Sequence, residues 1–198
     1  MVSISELQPL LKRLQKKLTV PTVWLGKTIG ISPCAVTFCG VLFAIAASVL
    51  FSQGIFNHAF WLLLVSGFCD MTDGDLARKI GDSSKFGAFL DSLADRVSDI
   101  VIMLGLAYYY LTSQHHLIAI LALMGLIVGM LISYARARAL EFNIHCEVGF
   151  MTRAPRFVLL LVGAALGIKI MPFAILAIVA IGTQTVGQRI QFVKQKLE

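Results

Sequence analysis

The chain has 198 residues, 58% of them hydrophobic and 14% charged, and its mean hydropathy is +0.83. That length suggests one domain over residues 1–198, and that apolarity places the domain in a membrane rather than in water. The net charge of +6 would suggest nucleic acid as a partner in a soluble protein; here the distribution of basic residues around membrane spans accounts for it, so no nucleic acid is expected.

In the first twenty residues Ile4, Leu7, Leu11, Leu14 and Leu18 fall on one helical face and Lys12, Arg13, Lys16 and Lys17 on another. The pattern predicts an amphipathic helix over residues 1–20 lying on the membrane surface and ended by Pro21. No signal peptide is expected, because the basic residues follow the first apolar ones and no uninterrupted apolar core precedes a small-residue cleavage site.

Six apolar segments follow, each near the ~20 residues that span a bilayer. They run from Pro33 to Phe51, Ala59 to Lys79, Lys85 to Leu111, Leu117 to Leu140, Thr152 to Ile168 and Pro172 to Ile190. The predicted fold is all-α and integral to the membrane, a six-helix bundle over residues 33–190 with the surface helix in front. Ser32-Pro33 reads as a helix start, with Ser as the cap and Pro at the first position. All but Lys169 of the 17 Lys and Arg residues lie on the face shared with the N-terminus. The positive-inside rule makes that face cytoplasmic, with both termini on it. The cysteines Cys34, Cys39, Cys69 and Cys146 are widely spread without metal-ligand spacing, and are expected to act as small buried hydrophobes.

Every aspartate of the chain (Asp70, Asp73, Asp75, Asp82, Asp91, Asp95 and Asp99) falls between positions 70 and 99. At about 100° per residue, Asp70, Asp73 and Ala77 share one face of the second segment. Gly87, Asp91 and Asp95 share one face of the third. Two antiparallel helices joined by the polar turn from Gly81 to Ser84 would present Asp70, Asp73, Asp91 and Asp95 to each other, with Gly74, Ala77 and Gly87 leaving room for a ligand. Carboxylates so close repel unless a cation joins them, and an all-oxygen donor set points to Mg²⁺, Mn²⁺ or Ca²⁺ rather than zinc or copper. A charge inside the hydrocarbon is by default functional, and two close metal ions are a recurrent device for phosphoryl transfer.

These residues match D-x2-D-G-x2-A-R-x8-G-x3-D-x3-D at Asp70, Asp73, Gly74, Ala77, Arg78, Gly87, Asp91 and Asp95. In this the chain resembles the CDP-alcohol phosphatidyltransferases, whose six-helix membrane layout it also shares. The resemblance implies two Mg²⁺ or Mn²⁺ ions bound by Asp70, Asp73 and Asp91, with Asp95 joining them or acting as the base. It also implies a pocket for cytidine diphosphate shaped by Asp73, Gly74, Ala77, Arg78 and Gly87. The family often carries a Pro-x-x-x-Thr element near the nucleotide, matched by Pro33 and Thr37. On this reading an acceptor hydroxyl attacks the phosphorus nearest the lipid of a CDP-linked lipid, and CMP leaves. The family also implies a homodimer. Asp75 is outside the pattern and reads as nucleotide-side or solvated, and Asp99 is expected to pair with Arg96.

A second stretch, Ser133-Tyr134-Ala-Arg136-Ala-Arg138-Ala139 followed by Val148-Gly149, Arg153 and Arg156, resembles the phosphatidylinositol-phosphate synthase subgroup. There Arg136, Arg138, Arg153 and Arg156 would line the pocket for an acceptor that carries its own phosphate, which guanidinium binds through paired hydrogen bonds. The subgroup's glutamate is replaced by Leu140, with Glu141 displaced by one position. The subgroup resemblance makes inositol phosphate the expected acceptor, and the displaced glutamate, whose carboxylate would point elsewhere on the helix, leaves glycerol 3-phosphate, as in a phosphatidylglycerophosphate synthase, and other phosphorylated alcohols open. Two rivals are an intramembrane prenyltransferase, opposed by the spacing from Gly74 to Arg78, and a divalent-cation transporter. The transporter would need acidic residues continuing across the bilayer, and the outer halves of the segments have none.

Overall fold

The computed structural model describes residues 32–80 and 84–198; the surface helix expected over residues 1–20 lies outside them. Among the described residues the chain forms six helices and no strand: α1 (Pro33–Ser52), α2 (Phe56–Ile80), α3 (Lys85–Thr112), α4 (His116–Glu141), α5 (Arg153–Leu166) and α6 (Met171–Leu197). Helix α6 runs seven residues past the segment read from hydropathy, because its end is polar yet still helical.

Local chemistry sets the boundaries. The Ser32 hydroxyl oxygen accepts the Ala35 N–H at 3.2 Å with Pro33 behind it, which is the cap and first-turn proline expected. Ser84 caps α3 in the same way, accepting the Gly87 N–H at 3.0 Å. Three helices end in a left-handed residue whose N–H, together with that of the next residue, donates back to carbonyls of the last turn. Gly54 (φ 77°) closes α1, Gln114 (φ 64°) closes α3 and Asn143 (φ 58°) closes α4. Chain reversal thus takes only a few residues from α1 to α2 and from α3 to α4, and a longer segment from α4 to α5.

The chain divides into two compact units. One is Leu64–Asp95 with the chain up to Phe43; the other is Ala44–Leu63 with Arg96–Glu198. In the second unit, α6 packs against α4 and α5, and the core is built on small residues that let helices approach. Ala44, Ala47, Ala59, Ala119 and Ala122 lie among Phe51, Leu63, Leu106, Tyr110 and Ile175. A Cβ at Gly105 would come within 2.4 Å of the Ser48 carbonyl, so only glycine permits that contact between α1 and α3.

Helices α1, α4 and α6 are long and apolar enough to cross a membrane. Helices α2 and α3 each carry the charged motif in one half, and α5 has 14 residues. Large apolar side chains are exposed in each unit, Phe38 in the first and Trp61, Leu117 and Phe173 in the second, at 59–78%, and such surface suits hydrocarbon and not water. All four cysteines are free thiols; Cys146 is buried as expected, whereas Cys39 is exposed on the apolar exterior of α1.

Candidate active site

The first unit brings the motif together. Carboxylate oxygens of Asp70 on α2 and of Asp91 and Asp95 on α3 all lie within 4.8 Å of one another, each residue half-buried. The helical repeat explains part of it: Asp91 and Asp95 are one turn apart on α3, and α2 brings Asp70 beside them. Asp73, one turn after Asp70, is 4% exposed and takes part in a different contact. The Thr37 hydroxyl of α1 donates to its Oδ2 at 2.5 Å.

Next to the carboxylates is a cavity of about 240 Å³. Every residue that the family resemblance assigned to cytidine diphosphate lines it: Pro33 and Thr37 from α1, Asp73, Gly74, Ala77 and Arg78 from α2, and Gly87 from α3. Asp91 lines it as well, so the cavity and the carboxylate cluster share a residue. The glycines keep it open. A Cβ at Gly74 would meet no heavy atom nearer than an Arg78 nitrogen at 4.0 Å, and one at Gly87 would press on the capping Ser84 hydroxyl at 3.0 Å. Cys34, Ser84 and Ala88 complete the wall. Sequence reasoning missed them, although Ser84 and Ala88 are one turn apart on the same α3 face as Asp91 and Asp95, a signal that spacing alone could have supplied. Asp75 forms an ion pair with the exposed Arg78 at 2.5 Å, which orients the Arg78 guanidinium at the edge of the cavity.

The arginines lie in the second unit and do not share one environment. Arg136 and Arg138 are exposed at the end of α4. Arg136 is 3.6 Å from Glu147, while Arg138 pairs with Glu141 and stands over the Phe142 ring, 5.6 Å from its centroid. The one-residue displacement of the glutamate thus turns it to the side of Arg138. Arg153 is half-buried at the first position of α5. Arg156 departs from expectation: it is 3% exposed, and its Nη2 holds Asp99 at 2.5 Å. Asp99, expected to pair with Arg96, therefore reaches across to α5, because the crossing of α3 and α5 brings a buried guanidinium to it.

Sequence reasoning also missed Arg189 and Thr185 on α6, which order the segment leading into α5. Arg189, 2% exposed, donates from Nε to the Val148 carbonyl at 3.0 Å and from Nη1 to the Ile132 carbonyl at 2.5 Å. The Thr185 hydroxyl accepts the Met151 N–H at 3.1 Å. Neither had a signal in the sequence, since both stand in the polar stretch from Thr183 to Arg189.

Comparison with known proteins agrees with this geometry. The family profile for CDP-alcohol phosphatidyltransferase matches residues 31–186. The chain is 37% identical over 167 residues to the archaetidylinositol phosphate synthase of Methanothermobacter thermautotrophicus, covering 82% of this chain and 83% of that one. It superposes with a TM-score of 0.83 on the phosphatidylinositol phosphate synthase of Mycobacterium tuberculosis with CDP-DAG bound, at 26% identity over 89% of this chain and 94% of that one. The same enzyme in complex with manganese and citrate gives a TM-score of 0.83 at 27% identity, covering 88% of each chain. On its motif, its fold and these likenesses, the chain belongs to the CDP-alcohol phosphatidyltransferase family.

Proposed function

We propose that the protein is a metal-dependent membrane enzyme that transfers a phosphatidyl-type group from a CDP-linked lipid to a hydroxyl of inositol phosphate, releasing CMP and forming a phosphodiester. The observation that carries this is the 240 Å³ cavity lined by all seven residues assigned to the nucleotide and joined, through Asp91, to the carboxylate cluster. The names of the relatives, archaetidylinositol phosphate synthase and phosphatidylinositol phosphate synthase, support the acceptor, and the CDP-DAG bound to the latter supports the CDP-lipid donor.

The donor set fits a hard divalent cation. Three half-buried carboxylates with oxygens within 4.8 Å of each other suit Mg²⁺ or Mn²⁺, and the Mycobacterium relative was solved with manganese. Asp70, Asp91 and Asp95 would hold one ion and, with Asp73, a second. Such ions bind phosphate oxygens and stabilise charge on the entering and leaving groups. The remaining work falls to this chain's own groups. Thr37 holds the buried Asp73 carboxylate in place, Gly74 and Gly87 leave the space that cytidine diphosphate occupies, and Arg78 faces its phosphates. The acceptor hydroxyl attacks the phosphorus nearest the lipid as Asp95 takes its proton. The bond from that phosphorus to the oxygen kept by CMP breaks, and CMP departs. Arg136, Arg138 and Arg153 bind the acceptor's phosphate.

We place all six helices across the membrane as one domain over residues 1–198. The active site and both termini face the cytoplasm by the distribution of basic residues, and the enzyme works as a homodimer, as the family implies. Glycerol 3-phosphate is the second reading for the acceptor, favoured by one observation. With Leu140 in place of the glutamate, and Glu141 held by Arg138, a carboxylate partner for a sugar hydroxyl is missing from that position.

The deciding experiment is CMP release by purified protein with CDP-diacylglycerol and Mg²⁺ or Mn²⁺, offered inositol phosphate, glycerol 3-phosphate, free inositol or serine. Release dependent on inositol phosphate is expected. Equal rates with serine or free inositol would refute a phosphate-binding acceptor site.

A further inference from the structure

The family resemblance puts Arg156 beside the acceptor's phosphate, but its surroundings fit another part. Its side chain is 4% exposed. Nη2 is spent on Asp99 at 2.5 Å, and Nη1 lies 3.4 Å from the Gly129 carbonyl. A Cβ at position 129 would sit 3.4 Å from the guanidinium carbon, so glycine there lets the group lie against the α4 backbone. The cavity beside the pair, lined by Asp99, Gly129 and Arg156, is about 10 Å³. That is room for about one water molecule and far too little for a phosphate ester. A buried, charge-assisted pair with a third partner on another helix is also costly to break. Arg156 therefore ties α3, α4 and the first turn of α5 together, and Arg153 begins that same turn.

We infer that Arg156 is a positioning residue and not a phosphate ligand: through Asp99 and the Gly129 carbonyl it fixes the first turn of α5, and so the direction in which Arg153 meets the acceptor. This rests on the acceptor reading above for Arg153.

Asp99→Asn separates the two roles. If Arg156 positions, losing its partner raises the KM for inositol phosphate on the order of tenfold, as a small misplacement of a binding group does. The KM for CDP-diacylglycerol stays within about twofold, since that substrate does not use this turn. Asp99→Glu should recover part of the loss, and Asp99→Asn combined with Arg156→Gln should be no worse than Arg156→Gln alone. If Arg156 were a phosphate ligand, Asp99→Asn would release it, and an unchanged or lower acceptor KM would overturn the proposal. Should Asp99→Asn fail to fold in detergent, Arg156→Lys keeps the charge without the fork. A raised acceptor KM is again expected, and an unaltered one would overturn the proposal.

Thermal unfolding in detergent tests the pair without any acceptor. Asp99→Asn and Arg156→Gln should each lower Tm, and together lower it by less than the sum of the two; additive losses would refute the coupling. If the wild-type enzyme turns out to use an alcohol without phosphate, the acceptor reading fails on that result alone. The KM comparison then runs on that alcohol, where an unaffected Asp99→Asn would overturn the positioning role.

Discussion

Thr37→Val tests the link between α1 and the motif. Valine keeps the shape of threonine and removes one donor, the hydroxyl that meets the 4%-exposed Asp73 carboxylate at 2.5 Å. A hydrogen bond to a charged group contributes about 1.5–3 kcal/mol, and a buried carboxylate left without it bears the full loss. If that contact holds Asp73 in its working orientation, the variant should lose about 10- to 150-fold in kcat/KM for CDP-lipid, each 1.36 kcal/mol being tenfold. Thr37→Ser, which keeps the hydroxyl, should stay within a fewfold of wild type. The assay is CMP release at varied CDP-diacylglycerol with the acceptor saturating, and melting in detergent checks that each variant is folded. A Thr37→Val enzyme within twofold of wild type would show that Asp73 does not depend on Thr37.

Asp91 belongs both to the carboxylate cluster and to the cavity wall. Asp91→Asn should cut CMP release by more than about 100-fold, the upper end for losing merely a supporting partner of a metal ligand, while the protein stays folded in detergent; near-normal turnover would sink the metal assignment. Arg153→Ala should raise the KM for the phosphorylated acceptor about tenfold or more and that for CDP-lipid little, because it removes a phosphate partner. Equal effects on both substrates would count against an acceptor site on α5. Gly149, at φ 98°, has no room for a side chain: a Cβ would come within 2.3 Å of Thr185 Cγ2. Gly149→Ala should cost about 1–3 kcal/mol by overpacking and lower Tm in detergent. Adding Thr185→Ser, which removes Cγ2 and keeps the hydroxyl that accepts the Met151 N–H, should restore part of it. No recovery would mean that the contact is not the source of the strain.

The helical membrane class and the helix start at Ser32-Pro33 were legible in the sequence because each depends on near neighbours, and the residues that line the cavity were picked out by the family resemblance. Spacing on a helix decides which side chains share a face, and a serine cap acts within three residues of itself. The motif residues Asp73, Gly74, Ala77, Arg78 and Gly87 line one cavity with Pro33 and Thr37, a meeting of three helices that spacing within one helix does not fix. What spacing could not decide is how far each helix is rotated about its own axis. That rotation groups Asp70 with Asp91 and Asp95 and gives Asp73 to Thr37. Contacts across long stretches of chain were equally hidden: Arg156 meets Asp99 57 residues away, and Arg189 meets Val148 41 residues away. An arginine near a membrane face reads the same from sequence whether it reaches for a substrate or is buried as a strut. Only the packing of α3, α4 and α5 around Arg156, with Asp99 and the Gly129 carbonyl in hydrogen-bond reach and no space for a phosphate, decides between them.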